Sequence, residues 1–200
     1  ADLLAASPAY SDQSGVDWKT AAASAAKVLN HIGGVDGMDP TGWTWYCNVD
    51  DIEKLSPTES PAEILWRGER AKSLSLEEDN FPPTLYGNGR INPTQNLVDA
   101  FPMLNGYPVS HLSGEYDENL PYANRDPRLE AYILYNGCKA GNTNKEIFTA
   151  ADGTTNDALN KVVGRSTRTG YYLRKLLRQD ISLDPNAKAD QYHYTPRIRY

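Results

Sequence analysis

Histidine, cysteine and methionine are scarce, at three, two and two among 200 residues. His31, His111 and His193 never fall at the spacing that sets two ligands on one helix face, so no metal set is legible and each reads as a surface or capping histidine. Cys47 and Cys138 lie far apart without a partner motif. That excludes a structural zinc site or a disulfide framework, while a single bridge stays compatible. No apolar run approaches the roughly 20 residues of a membrane span. Basic clusters are missing too: Lys plus Arg is 20, Asp plus Glu is 26, and the net charge is −6. This balance argues against nucleic acid or an anionic membrane face as the main partner. Ala1-Asp2-Leu3-Leu4 has no signal-peptide layout, and the piece reads as soluble. There is no Gly-x-Ser-x-Gly elbow, and Gly87-Asn88-Gly89-Arg90 has neither Walker nor dinucleotide spacing and reads as a turn.

What is present is tyrosine. Tyr outnumbers Phe 13 to 3, and Trp adds 4. Rings with an apolar face and a polar tip suit half-buried and binding surfaces better than a dry core. The length suits one large domain or two small ones.

The ends read as cut. Leu3, Leu4, Ala5 and Ala6 look like the last turns of a helix stopped at Ser7-Pro8. Thr195-Pro196-Arg197-Ile198 looks like a helix start, with Thr195 as cap and Pro196 in the first turn. The expectation is an excerpt whose flanking helices continue in sequence on either side. Between them, Trp18, Ala21, Ala22, Ala25, Leu29 and Ile32 recur at helical spacing behind the cap Asp17. Gly33-Gly34 offers a left-handed stop, and small alanines allow another helix to approach closely. A shorter helix is signalled at Asn92-Pro93-Thr94-Gln95, with Asn92 as cap and Gln95 closing a capping box.

Ser60-Pro61-Ala62-Glu63 has the same capping pattern and would start a helix through Ile64, Leu65 and Trp66. The same residues, Glu63 to Arg67, equally read as a short strand. Tyr132-Ile133-Leu134-Tyr135 reads as a strand entering the turn Asn136-Gly137. Residues 170–177 fit either state. The stretches 33–61, 78–92, 104–125 and 138–165 are loops, and connections of that length are usually functional or disordered.

Carboxylates cluster at Asp50-Asp51, at Glu77-Glu78-Asp79, and at Glu115 with Asp117 and Glu118. A glycosidase needs two facing carboxyls across the scissile bond, which sequence neighbours seldom provide, so a solvated face is the plainer reading. Asp36-Gly37-Met38-Asp39 lacks the calcium-loop pattern. The aromatic run Trp43-Thr44-Trp45-Tyr46 is the stronger signal. If extended, Trp43 and Trp45 share one side and Tyr46 takes the other. Paired indoles make a flat apolar platform for a sugar ring, with Asn48, Asp50 and Asp51 for its hydroxyls. The plain alternative is that both plug into the core. Trp43, Trp45 and Tyr46 are the candidate ligand-binding residues. Tyr86, Tyr107, Tyr116 and Tyr122 are weaker candidates in other loops.

Several segments together resemble the SusD/RagB family. Pro93-Thr94-Gln95-Asn96-Leu97-Val98-Asp99-Ala100-Phe101-Pro102-Met103, with Asn105-Gly106, is similar to its "PTQ-LVDAF-M-NG" signature. Tyr122-Ala123-Asn124-Arg125-Asp126-Pro127-Arg128-Leu129 with Tyr135-Asn136-Gly137 resembles "NRDPRL…NG". Thr169-Gly170-Tyr171-Tyr172-Leu173-Arg174-Lys175 resembles "TGYYLRK", and Pro196-Arg197-Ile198-Arg199-Tyr200 resembles "P-IRY", which in the family opens a helix. Phe81-Pro82-Pro83 and the segment Ala5 to Trp18 also fit, so the likeness spans nearly the whole chain in order.

The resemblance implies a mainly α fold: tetratricopeptide-like helix pairs packed with long irregular loops and a few short strands. It implies one SusD-like domain over 1–200, with repeat-type helices at 1–32 and a loop-rich ligand and partner region at 33–200, ending at the start of a further helix. It favours the extended reading of Glu63 to Arg67 and of Tyr171 to Lys175. The implied function is non-catalytic capture of glycans at the bacterial surface, for import through a SusC-like TonB-dependent outer-membrane transporter. The implied location is the outer membrane, facing outward, with anchoring by a lipid outside this segment. No catalytic residue, metal or cofactor is implied. The signature residues Asn124, Arg125, Asp126 and Arg128 read as structural, forming buried charge-assisted bonds between loops and helices. Alternatives are a peptide-capturing member, a portion that mostly contacts the transporter, and, in a different class, a carbohydrate-active hydrolase.

Overall fold

Helix formation starts where alanine is richest. α1 (Asp2–Ala5) and α2 (Ser11–Ser14) are single turns, and α3 (Trp18–His31) is the long helix of the chain as described. The computed structural model describes residues 2–7, 9–38, 64–67, 70–189, 191–194 and 197–199. They form two units, one of which contains residues 72–189.

In the first unit, Asp17 caps α3 as expected. Its Oδ1 accepts from the Thr20 amide at 2.7 Å and the Thr20 hydroxyl at 2.6 Å. The hydroxyl bond, then the amide bond, hold its carboxyl below the usual range. At the other end the Gly33 amide donates to Asn30 O and the Gly34 amide to Leu29 O, with φ of 92° and 81°. This is a paired stop that only left-handed residues complete. α1 packs on α3 where Ala6 and Ala21 are buried, and Ser24 Oγ donates to Asp2 Oδ2 at 2.5 Å. The expected apolar stripe is only partly covered. Ala21 is buried and Leu29 and Ile32 are half-buried, whereas Trp18, Ala22 and Ala25 are exposed.

β1 (Ile64–Arg67) settles one open reading in favour of the strand. It runs antiparallel to Arg197–Arg199, with Ile64 opposite Arg199 and Trp66 opposite Ile198. The helix start expected at Thr195-Pro196 is therefore corrected: the residues after it are extended. A helix repays nucleation only over several turns, whereas a strand pairs its backbone at once. Thr195, Pro196 and the cap Ser60 lie outside the described residues.

The chain continues through β2 (Arg70–Ser73) into the second unit, which is largely loop. Its helices are α4 (Ser75–Asn80), α5 (Gln95–Ala100) and α6 (Pro127–Tyr132). The α5 cap is Thr94, whose hydroxyl accepts from the Leu97 amide at 3.3 Å, not Asn92. Asn92 instead bridges loops, donating to Gly89 O and accepting from the Arg168 amide. α6 starts with Asp126 as cap and Pro127 in the first turn, so Tyr132 ends a helix where a strand was expected. β3 (Ile133–Leu134) takes over, β4 (Lys139–Ala140) pairs with β5 (Lys145–Glu146), and β3 pairs with β6 (Tyr172–Leu173). Leu134 stands opposite Tyr172, and both lie at the centre of a core with Phe81, Ile147 and Leu177. A second cluster joins Val98, Leu129, Ile133 and Tyr171. β7 (Gln191–Tyr194) and β8 (Arg197–Arg199) follow. The fold is mainly α, with short strands and no closed sheet among the described residues.

The turn Gly87–Arg90 is held against α4. Asn88 and Arg90 amides donate to Glu78 O and Asp79 O, carbonyls that the end of α4 leaves open, and Gly89 N donates to Phe81 O. A Cβ on Gly87 would sit 2.1 Å from Phe81 O, and one on Gly89 2.2 Å from Arg165 O. These glycines serve backbone packing, as expected of a turn. Gly87→Ala is expected to destabilise the chain by about 1–3 kcal/mol, read as a lower urea midpoint at unchanged slope. An unchanged midpoint would show that the turn yields.

Candidate functional site

Trp43, Trp45 and Tyr46, with Asn48, Asp50 and Asp51, lie outside the described residues. The weaker aromatic candidates are all placed. Tyr86 is exposed, and Tyr107 stacks on His111 with centroids 4.8 Å apart. Tyr116 is half-buried with the Arg125 guanidinium 5.8 Å from its centroid. Tyr122 stacks on Tyr135 at 4.1 Å and meets Tyr171 edge-on. Burial, then a bond with Tyr171, raises the Tyr122 hydroxyl well above its usual range. Tyr171 in turn donates to Gln95 Oε1 at 2.8 Å. The residue expected to close a capping box thus receives a tyrosine from a distant loop.

The charged signature separates into two roles. Arg125 is buried and donates from Nη1 to Pro121 O and from Nη2 to Val98 O and Phe101 O, at 2.6–2.8 Å. It ties its loop to α5, as expected. Asn124 and Arg128 are corrected. Asn124 is exposed with φ 51°. Asp126 and Arg128 pair locally at 2.6 Å with the Arg128 side chain half exposed. Arg128 Nε and Nη2 both donate to the Asp126 carboxylate, which is 14% exposed and also caps α6, so the pair fixes the start of that helix.

Glu77, Glu78, Asp79 and Asp117 are spent on structure. Glu77 is buried and accepts from the Arg178 amide, Glu78 pairs with Lys188 at 2.9 Å, and Asp79 pairs with Arg90 at 3.2 Å. Asp117 accepts from the Asn119 amide within its own turn. No group of three metal-ligating side chains occurs among the described residues.

Sequence reasoning missed Thr167 and Asp157, which carry no motif. Thr167 Oγ1 donates to Tyr171 O and accepts from the amides of Thr169, Gly170 and Tyr171. Tyr172 Oη accepts from the Thr167 amide and donates to Asp157 O. Asp157 is fully buried, with Oδ1 accepting from the Thr84 amide and Oδ2 unpartnered among the described residues. Burial raises its carboxyl above the usual range, against the pull of the Thr84 bonds and the Lys145 charge. Cys138 is a free buried thiol pushed up to about 11 by burial, hence inert; Cys47 lies outside the described residues.

The model of the SusD family matches residues 65–200. The chain belongs to the SusD family. No curated protein matches it. A SusD-like carbohydrate binding protein from Bacteroides fragilis is 22% identical, with a TM-score of 0.52 over 64% of this chain and 26% of that one. A SusD-like protein of the same organism is 21% identical, with a TM-score of 0.53 over 76% of this chain and 31% of that one. Identity that low marks likeness of fold. The chain spans about a quarter to a third of the length of these two structures. In SusD-family terms, the described signatures hold loops to helices and to one another.

Arg125→Met is expected to destabilise the chain by about 3 kcal/mol, since three carbonyls lose a charged donor. Arg125→Lys should recover only part, because an ammonium lacks the planar fork. Urea unfolding measures both, and equal stability of the Met variant would refute the tie. Asp157 gives a pH dependence of opposite sign to an ordinary ion pair. Its folded carboxyl titrates above the unfolded one, so its charge opposes folding above the folded pKa, and this penalty vanishes as pH falls through it. Asp157→Asn keeps the Thr84 acceptor. Its melting temperature should gain on the unaltered chain at about pH 7 and lose that advantage near about pH 4.

Proposed function

We propose that this chain is the loop-rich portion of a non-catalytic outer-membrane lipoprotein that captures glycans at the cell surface. It passes them to a SusC-like TonB-dependent transporter. Membership of the SusD family carries this reading, and likeness to a Bacteroides fragilis protein described as carbohydrate binding supports it. Residues 1–200 then belong to one SusD-like domain, with helix pairs of tetratricopeptide type under the loops. No described helix is long and apolar enough to cross a membrane, and the reading places the anchor in a lipid elsewhere.

Cargo contact is assigned to Trp43, Trp45 and Tyr46 on their chemistry. Flat indoles match the C–H face of a sugar ring, and Asn48, Asp50 and Asp51 offer partners for its hydroxyls. A carrier of this kind needs no acid–base pair, which agrees with the structural commitments of Glu77, Glu78 and Asp79.

Calorimetry against a panel of purified polysaccharides tests the reading. One polymer should bind, and the Trp43→Ala, Trp45→Ala double variant should weaken it at least about tenfold. Unchanged affinity would reject the two indoles as the contact. Release of shortened sugars from any polymer would reject a non-catalytic role.

A further inference from the structure

Tyr86 adopts φ 66° and is 48% exposed at the edge of a pocket of about 70 Å³. The apolar lining is Phe81, Leu85, Ile181 and Leu183, all buried parts of the larger core. The polar lining comes from two segments: Asn142, Thr143 and Lys145 on the β4–β5 hairpin, Ser182 and Asp184 on a loop. The Gly141 amide donates to Gln179 Oε1 at 3.1 Å, which ties the two segments. Within them, the Asn144 amide donates to Gly141 O and the Asp184 amide to Ser182 Oγ. Both segments are therefore held before any ligand arrives.

Two charged groups in this lining retain bonding capacity. Lys145 Nζ sits 5.4 Å from the Tyr86 centroid and reaches Thr84 O only at 3.4 Å. It joins no ion pair among the described residues. Asp184 Oδ1 accepts from the Asn186 amide and side chain, and no donor among the described residues reaches Oδ2. An ammonium that donates and a carboxylate that accepts, facing one pocket, complement hydroxyls, which do both. Their opposite charges leave the lining without net charge, which suits a neutral polyol. About 70 Å³ holds roughly two waters. That is room for one hydroxymethyl arm, with the ring itself lying across the mouth beside Tyr86.

We propose that this pocket binds a neutral sugar unit, its ring beside Tyr86 and its hydroxyls shared by Lys145 and Asp184. This rests on the glycan reading above and adds a contact independent of Trp43, Trp45 and Tyr46. The test follows the amides of Tyr86, Thr143, Lys145 and Asp184 in the ¹⁵N-labelled full chain. The ligands are maltohexaose, cellohexaose, xylohexaose and mannohexaose, with calorimetry in parallel. At least one should shift these amides, in the unaltered chain and in the Trp43→Ala, Trp45→Ala variant. Tyr86→Ala should weaken that response about tenfold. Lys145→Met, an exposed change that leaves the core intact, should do the same. A sugar that binds by calorimetry while these amides stay still overturns the pocket and leaves the glycan reading standing. Binding of none of the sugars overturns the pocket, while the glycan reading stands or falls with the polysaccharide panel. Shifts from a casein digest without any from sugars also overturn the proposal.

Discussion

A guanidinium buried without a carboxylate partner among the described residues must find its compensation in dipoles, and Arg125 finds it in the carbonyls of Val98, Phe101 and Pro121. Those oxygens belong to the end of α5 and to the loop that precedes Arg125. One side chain thereby fixes where the loop leaves the helix and where it returns. The backbone completes the closure. Met103 bridges to Arg125, the Leu104 amide donates to Asn124 O, and the Asp126 amide donates to Pro102 O. The cap of α6 starts at that junction, so α5 and α6, the strand β3 and the second apolar cluster depend on the same charge.

Tyrosine at the centre of the core answers the same need. A unit made largely of loops has few ladders to absorb its amides and carbonyls, and each one buried needs a partner. Tyr172 lies at the centre of the core and still serves two backbone groups through its hydroxyl. Thr167 serves four, and Asn136 Oδ1 accepts from the amides of Thr149 and Ala150. Side chains take over work that sheets do elsewhere. Several polar residues of the loops are internal fasteners, not surface decoration.

Local grammar was legible wherever a single element decided the outcome. The cap at Asp17, the double-glycine stop of α3 and the turn at Gly87 to Arg90 all follow from neighbours in sequence. Reading failed where a distant partner intervened. Asn92 gave up its cap position to bridge Gly89 and Arg168, and Gln95 was drawn to Tyr171. Ile64 to Trp66 was left open between helix and strand, and pairing with Arg197 to Arg199 decided it. Of the pocket proposed for sugar, Tyr86 was visible as a loop aromatic, but nothing near it in sequence names Lys145 or Asp184.

The sequence by itself determined the family, through six short signatures in order, and the grammar of individual helices, because both are properties of contiguous residues. Tertiary structure alone decided which signature charge is buried, since Arg125 and Arg128 are chemically identical and only position separates them. It also decided which segments share a pocket. Residues 86, 145 and 184 meet only when the chain folds, and the free energy of placing them together comes from the core beneath, not from their own neighbours.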